Sequence, residues 1–153
     1  MHTDDVDSNR MTVLVVDDTK ENLTVIGQLL RPYFHVRVAN SGSRALQAVE
    51  VAPRPDLILL DVMMPEMDGY QVLKTLREQP RFQDIPVIFV TALAADTDEE
   101  LGLSLGAVDY VTKPVKPALL LARVRAQLEL KKARDWLADQ NAYLDAEVHR
   151  RMS

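Results

Sequence analysis

The chain has 153 residues, of which 47% are hydrophobic and 27% charged, the profile of one compact soluble domain with at most one appended element. Its formal net charge of -5 argues against a free-standing nucleic-acid binder, which needs a basic face. Cysteine is absent, which excludes disulfides, thiolate metal sites and cysteine catalysis. Residues 1–10 are polar, lack the apolar stretch of a secretion signal and are expected to form a frayed tail. No run reaches the ~18 apolar residues of a membrane span, so a soluble, cytoplasmic protein is expected.

Short apolar runs recur along the chain at Thr12–Val16, His35–Ala39, Leu57–Leu60, Val87–Thr91 and Tyr110–Thr112. The first, third and fourth are rich in Val, Ile and Leu without alternation, as strands buried on both faces of a parallel sheet are. Helical spacing fills the intervals. Leu23, Ile26, Leu29 and Leu30 make one stripe, Ala45, Leu46 and Val49 a second, Val72, Leu73 and Leu76 a third, and Leu101, Leu103 and Leu105 a fourth. Ser41-Gly42 and Gly69 open the second and third helices, Pro86 precedes the fourth strand, and Gly106 ends the fourth helix. Strand alternating with helix predicts an α/β fold with a doubly wound, five-stranded parallel sheet.

The last helix differs. From Pro117, well suited to a first helical turn, nothing interrupts the pattern until about Arg151, a rod of about 52 Å. Leu120, Leu121, Val124 and Leu128 can pack on the sheet. From about Leu130 the rod must project or find a partner. The expected organisation is a tail over 1–10, a globular unit over 11–130 and a helical extension over 131–153.

Function in such a fold sits beyond the carboxyl ends of the strands, near the point where strand order reverses. Asp17 and Asp18 end the first strand, Asp61 the third, Thr91 the fourth and Lys113 the fifth. Taken singly each has a plainer explanation: an Asp after a strand is ordinarily a helix N-cap, Thr91 a strand residue, Lys113 a solvated charge. Together they place three carboxylates, a hydroxyl and an ammonium on one edge. Three close carboxylates repel, and a hard cation such as magnesium, which prefers oxygen ligands, relieves that. The cation would also neutralise an incoming phosphoryl group, and one carboxylate could then act as nucleophile to form an aspartyl phosphate. Lys113 would pair with one phosphoryl oxygen, Thr91 would hydrogen-bond another, and the small Ala92 would leave room beside it.

Val13-Leu14-Val15-Val16-Asp17-Asp18, Asp61-Val62-Met63-Met64-Pro65-Glu66-Met67-Asp68-Gly69, Thr91-Ala92 and Lys113-Pro114 together resemble the receiver domains of two-component response regulators. The resemblance covers about residues 11–130 and implies a flavodoxin-like sheet of order 2-1-3-4-5. It implies that Asp61 takes a phosphoryl group from a histidine kinase or phosphotransfer protein. Asp18, Asp61 and the backbone carbonyl of Met63 would hold Mg2+, with Asp17 contacting it through water. Lys113-Pro114 would be a cis peptide. Thr91 and Tyr110 would form the switch pair: Thr91 moves toward the phosphate and Tyr110 turns inward behind it. The plainer reading of Tyr110 is a half-buried strand aromatic. Met63 and Leu93, each two residues beyond an active-site residue, are apolar and poorly suited to orient an attacking water, so slow self-dephosphorylation is expected. A magnesium-dependent phosphatase with an aspartyl nucleophile would want an Asp where Met63 stands.

The output lies in the last helix or past it. Leu130, Leu137 and Leu144 fall seven apart with Ala133 between, a partial heptad. Gln140 and Glu147 interrupt the seam, while Trp136 and Tyr143 form a parallel row. A homodimer through this helix is one expectation, a lone solvated helix the other. The mixed signs of Lys131, Lys132, Arg134, Asp135, Asp139 and Asp145 describe a solvated surface and no DNA-reading arm. Asp109 and Arg123 resemble positions that cross-pair in receiver dimers packing through helix four, strand five and helix five. Residues 122–135 resemble the link in receivers that precede cyclic-di-GMP enzymes, and residues 141–148 look most like those joined to HD-GYP phosphodiesterases. On that resemblance an effector is expected beyond Ser153; the alternative is a stand-alone receiver that signals by binding a partner protein.

Overall fold

A computed structural model describes residues 10–152, with side chains as far as residue 146. The expected tail over 1–10 therefore lies, Arg10 apart, outside the described residues, as does the side chain of Glu147. The elements in chain order are β1 (Thr12–Val16), α1 (Lys20–Leu30), β2 (His35–Ala39), α2 (Gly42–Val49), β3 (Leu57–Leu60), α3 (Gly69–Glu78), a 3-10 turn (Pro80–Phe82), β4 (Val87–Thr91), α4 (Asp96–Ser104), β5 (Asp109–Thr112) and α5 (Pro117–Met152). All strands are parallel, in the order β2-β1-β3-β4-β5. The one strand bound that differs from expectation is the start of β5, which takes in Asp109.

The continuous apolar runs are buried as their composition requires. Every residue of β1, β3 and β4 is buried, while the edge strand β2 is mostly accessible. Alternate strand residues feed two cores. Leu14, Val16, Ile58, Leu60 and Phe89 face α2 and α3. Val13, Val15, Leu59, Ile88 and Val90 face α1 and α5. The helix stripes of α1, α2 and α3 lie inward as their spacing predicts. Local signals set their starts: the Ser41 hydroxyl accepts from the Arg44 N–H, and Asp68 with Gln71 forms a reciprocal cap on α3. Gly106, with φ at 109°, ends α4 in the left-handed region.

α4 corrects the sequence reading. Leu101 and Leu103 are 45% and 43% exposed, and the one buried residue of the helix is Gly102. The helix is turned so that its backbone, and no leucine stripe, faces the sheet: a Cβ on Gly102 would stand 3.0 Å from Phe89 Cδ2 and 3.1 Å from Tyr110 Cδ2.

α5 runs 36 residues without a break. Leu120, Val124 and Leu128 are buried and Leu121 packs beside them. Beyond Leu128 only Lys131 is partly covered, as far as residue 146. Lys131 meets Asp56 Oδ1 at 3.3 Å and Asp135 Oδ2 at 2.7 Å, while Asp56 Oδ2 accepts the Thr12 N–H at 2.8 Å. The helix thus leaves the body at the amino ends of β1 and β3. No described helix is long and apolar enough to cross a membrane.

Candidate functional site

Strand register brings the acidic residues together. Val16 pairs with Leu60, so Asp17 and Asp61, the next residues, stand level at the reversal of strand order between β1 and β3. Leu60 pairs with Phe89, which puts Thr91 one residue further along on β4. Thr91 pairs with Thr112, and Lys113 follows.

The side chains complete a pocket. Ligand oxygens of Asp17, Asp18 and Asp61 lie within 4.8 Å of one another. Asp17 is 2% and Asp61 6% exposed, whereas Asp18 faces solvent. Lys113 Nζ donates to Asp17 Oδ2 at 2.7 Å and to Asp61 Oδ2 at 3.1 Å. The backbone N–H of Met63 donates to Asp61 Oδ1 at 3.1 Å, and that of Thr19 to Asp17 Oδ1 at 2.9 Å. Burial works to discharge Lys113, but its hydrogen bond to Asp17 and the charge of Asp61 outweigh it and hold its pKa above the ordinary lysine range. Lys113-Pro114 is cis, as is Ala52-Pro53, which the sequence did not flag.

Three carboxylates against one ammonium leave two negative charges in the pocket. An all-oxygen donor set of that charge fits a hard divalent cation with room for water ligands. The same pocket, with one carboxylate held by a lysine and a backbone N–H, suits attack on a phosphoryl group whose charge it can balance.

The switch candidates lie next to it. Thr91 is wholly buried, and its Oγ1 accepts the Leu93 N–H at 3.4 Å. Ala92 is exposed. Tyr110 is 6% exposed, turned inward, with its hydroxyl donating to the Leu93 carbonyl at 2.9 Å. Burial, then the neighbouring Tyr70 hydroxyl, drive its pKa well above the usual phenol range. In the β3–α3 loop, Val62 and Met64 turn into the core and leave Met63 between them 55% exposed.

Three contributors escaped the sequence reading. Asn22 Nδ2 reaches Asp17 at 3.3 and 3.4 Å; its place on the first turn after the Asp pair was the available signal. Gly69 was read only as a helix opener, but it lies against the phosphoacceptor candidate: a Cβ there would stand 2.3 Å from the Asp61 carbonyl oxygen. Tyr70 donates to the Asp98 carbonyl at 3.0 Å, a backbone partner that no residue pattern announces. Asp109 and Arg123, expected to cross-pair between copies, pair within the chain at 2.7 and 2.8 Å.

A doubly wound α/β sheet with an acidic, lysine-faced pocket at its switch point defines a class of phosphorylation-signalling module. The chain belongs to the response regulator receiver domain family, whose model matches residues 13–125. It is 45% identical over 145 residues to the "Probable cyclic di-GMP phosphodiesterase" of Vibrio cholerae serotype O1, covering 95% of this chain and 33% of that protein. It is 41% identical over 131 residues to the response regulator PleD of Caulobacter vibrioides, covering 85% of this chain and 29% of that protein. The chain thus spans about a third of the length of these curated relatives. Among solved structures, it is similar to the BeF3-activated receiver domain of DrrB from Thermotoga maritima, at 33% identity and a TM-score of 0.72, covering 78% of this chain and 98% of that one. A response regulator from Chloroflexus aurantiacus matches at 34% identity and a TM-score of 0.75, covering 79% of this chain and 99% of that one.

Proposed function

We propose that this receiver accepts a phosphoryl group on Asp61 from a phosphohistidine of a histidine kinase or phosphotransfer protein. The observation that carries the reading is the pocket of three carboxylates, two of them buried, closed by Lys113. One carboxylate oxygen of Asp61 bonds to phosphorus as the phosphorus–nitrogen bond of the donor breaks, its electron pair leaving with the imidazole. Asp18, Asp61 and the Met63 carbonyl would hold Mg2+, with Asp17 reaching it through water; the ion supplies charge neutralisation on the transferring group. Lys113 turns from Asp61 to a phosphoryl oxygen. Thr91 donates its hydroxyl to another, giving up the Leu93 N–H, and Ala92 leaves space for it. Tyr110, inward already, backs the displaced Thr91.

The output reading is a homodimeric stalk leading to a cyclic-di-GMP effector. Its support is the similarity to the Vibrio cholerae protein, which extends over 145 residues and so into the projecting helix. Leu130, Leu137 and Leu144 are each more than half exposed at heptad spacing, with Trp136 and Tyr143 beside them. The acidic net charge and mixed-sign helix favour protein partners over nucleic acid, and the setting is taken to be cytoplasmic.

The test is sedimentation with magnesium, with and without beryllofluoride, an acyl-phosphate mimic, using Asp61→Asn as control. A dimer gained only with the mimic and lost in the mutant supports phosphorylation-gated assembly. A dimer in every state makes the helix a constitutive stalk. A monomer throughout removes the stalk and favours a stand-alone receiver, and a mimic bound equally by Asp61→Asn removes the assignment of Asp61.

A further inference from the structure

α4 is the helix least held by burial. Of its side chains none is buried, since Gly102 contributes none. Ala95 precedes it without a side-chain cap, and its acidic first turn of Asp96, Asp98 and Glu99 suits the helix dipole without fixing where the helix sits. Its position is set from below by three rings. Phe89 is fully buried. Tyr70, from α3, meets it edge-on, with centroids 5.3 Å apart at 75°, and Tyr110, from β5, lies 6.0 Å away at 58°. Gly102 rests on Phe89 and Tyr110. Two phenol hydroxyls then tie the segment down: Tyr110 to the Leu93 carbonyl at 2.9 Å in the β4–α4 loop, and Tyr70 to the Asp98 carbonyl at 3.0 Å in the first turn. Leu93 is in turn bonded through its N–H to Thr91.

We propose that Tyr70 is a positioning residue of this receiver, its hydroxyl latching the first turn of α4 at Asp98 in the arrangement that has Tyr110 turned inward. The consequence for signalling rests on the assignment of Asp61 and Thr91 above. When Thr91 swings to a phosphoryl oxygen, the Leu93 N–H loses its partner and the loop loosens. The Tyr70 bond then keeps α4 seated on the rings that hold Tyr110 inward. A bond that favours this arrangement raises, by linkage, the affinity of any ligand that requires it. The Tyr70 hydroxyl, like any phenol, is protonated and able to donate at neutral pH, and desolvation raises its pKa further.

Tyr70→Phe keeps the ring against Phe89 and removes the hydroxyl alone. In the full chain, amide exchange over residues 96–104 should quicken about fivefold, the effect of losing one hydrogen bond of ordinary net strength. Amides of Val87 to Val90 serve as the measure of global unfolding and should not change by the same factor. Binding of beryllofluoride with magnesium should weaken by a similar factor, about fivefold, and Tyr110→Phe should weaken it too. Unchanged exchange in α4 overturns the latch. Faster exchange with unchanged beryllofluoride affinity overturns its role in switching and leaves Tyr70 a structural residue. Failure of the wild-type chain to bind beryllofluoride strikes the Asp61 assignment instead, and the exchange result then judges the latch alone.

Discussion

Replacing Gly69 with Ala sets two well-defined effects against each other. Ala is the better helix residue, by at most about 1 kcal/mol in a helix interior and less at the first turn where Gly69 stands. Against that, the new Cβ would lie 2.3 Å from the Asp61 carbonyl oxygen, 2.9 Å from Val62 Cα and 3.0 Å from the Asp61 carbonyl carbon. All three neighbours are backbone and cannot rotate aside. The first contact is about 1 Å short of van der Waals distance, so the start of α3 and the Asp61 peptide must part by that much, straining the Gly69 N–H bond to the Val62 carbonyl, now 2.9 Å. Overpacking of this kind costs about 1–3 kcal/mol, so the net effect is destabilising, by about 2–4 °C in melting temperature for each kcal/mol. The chemical effect should exceed the thermodynamic one. A shift near 1 Å in a reacting group lowers rate on the order of 10²-fold, whereas the fold survives a loss of that size. Thermal melts paired with phosphorylation by a small acyl phosphate in magnesium read both. A variant that melts with the wild type and phosphorylates at its rate would refute the claim that α3 is fitted against the backbone of Asp61, the proposed phosphoacceptor.

Met63→Asn and Leu93→Asn should each speed loss of the phosphoryl group, because each puts a polar side chain where exposed Met63 or half-buried Leu93 now stands; a wild-type half-life of seconds that Met63→Asn does not shorten would count against slow self-dephosphorylation. The contribution of Tyr110 to stability should be level below about pH 10, where the phenol is neutral folded and unfolded. Above it the unfolded chain releases the phenol proton while the folded chain, its pKa raised by burial, keeps it, so stability falls with rising pH. Urea titrations at pH 9 and pH 11 should show the fall, and Tyr110→Phe should reduce it, leaving the smaller share of Tyr70, Lys113 and Lys131, whose pKa values are also raised. Lys131→Met should loosen the exit of α5 by cutting its bonds to Asp56 and Asp135, at a cost of about 1 kcal/mol, since Lys131 and Asp56 are partly covered while Asp135 is exposed. Faster exchange confined to residues near 131–139 would report it, and protection equal to wild type would refute it.

The legible part of the molecule was the part where one physical rule acts alone. Uninterrupted Val, Ile and Leu runs must be buried on both faces, and β1, β3 and β4 are. Convergence of Asp17, Asp18, Asp61 and Lys113 followed because strand ends in a parallel sheet share an edge. α4 was misread because periodicity equates apolar with inward, while a glycine can face a sheet when rings lie beneath it, and Leu101 and Leu103 then point outward. Tyr70 was missed because it acts on a backbone carbonyl 28 residues away. Asp109 and Arg123 resemble positions that cross-pair in receiver dimers, and within one chain they already form an ion pair.

The placement of buried side chains bears on how a signal would leave the pocket. α5 begins at Pro117, close after Lys113, and reaches the Lys131–Asp56 contact about 21 Å further on at 1.5 Å per residue, at the opposite end of the sheet. Between these points Leu120, Val124 and Leu128 are buried, each contributing about 1.5–3 kcal/mol. Turning or sliding α5 as a lever would forfeit much of that at once. α4 opposes displacement with no buried side chain, two phenol hydrogen bonds and a glycine contact. Of the two helices flanking β5, α4 is therefore the less firmly held, and it depends on the Tyr70 and Tyr110 hydrogen bonds to stay seated when Thr91 moves. α5 is fixed on the body by Leu120, Val124 and Leu128, so its projecting part keeps a constant direction relative to the sheet. Under the proposed phosphorylation of Asp61, what Thr91 alters is the β4–α4 loop at Leu93 and not the seat of α5.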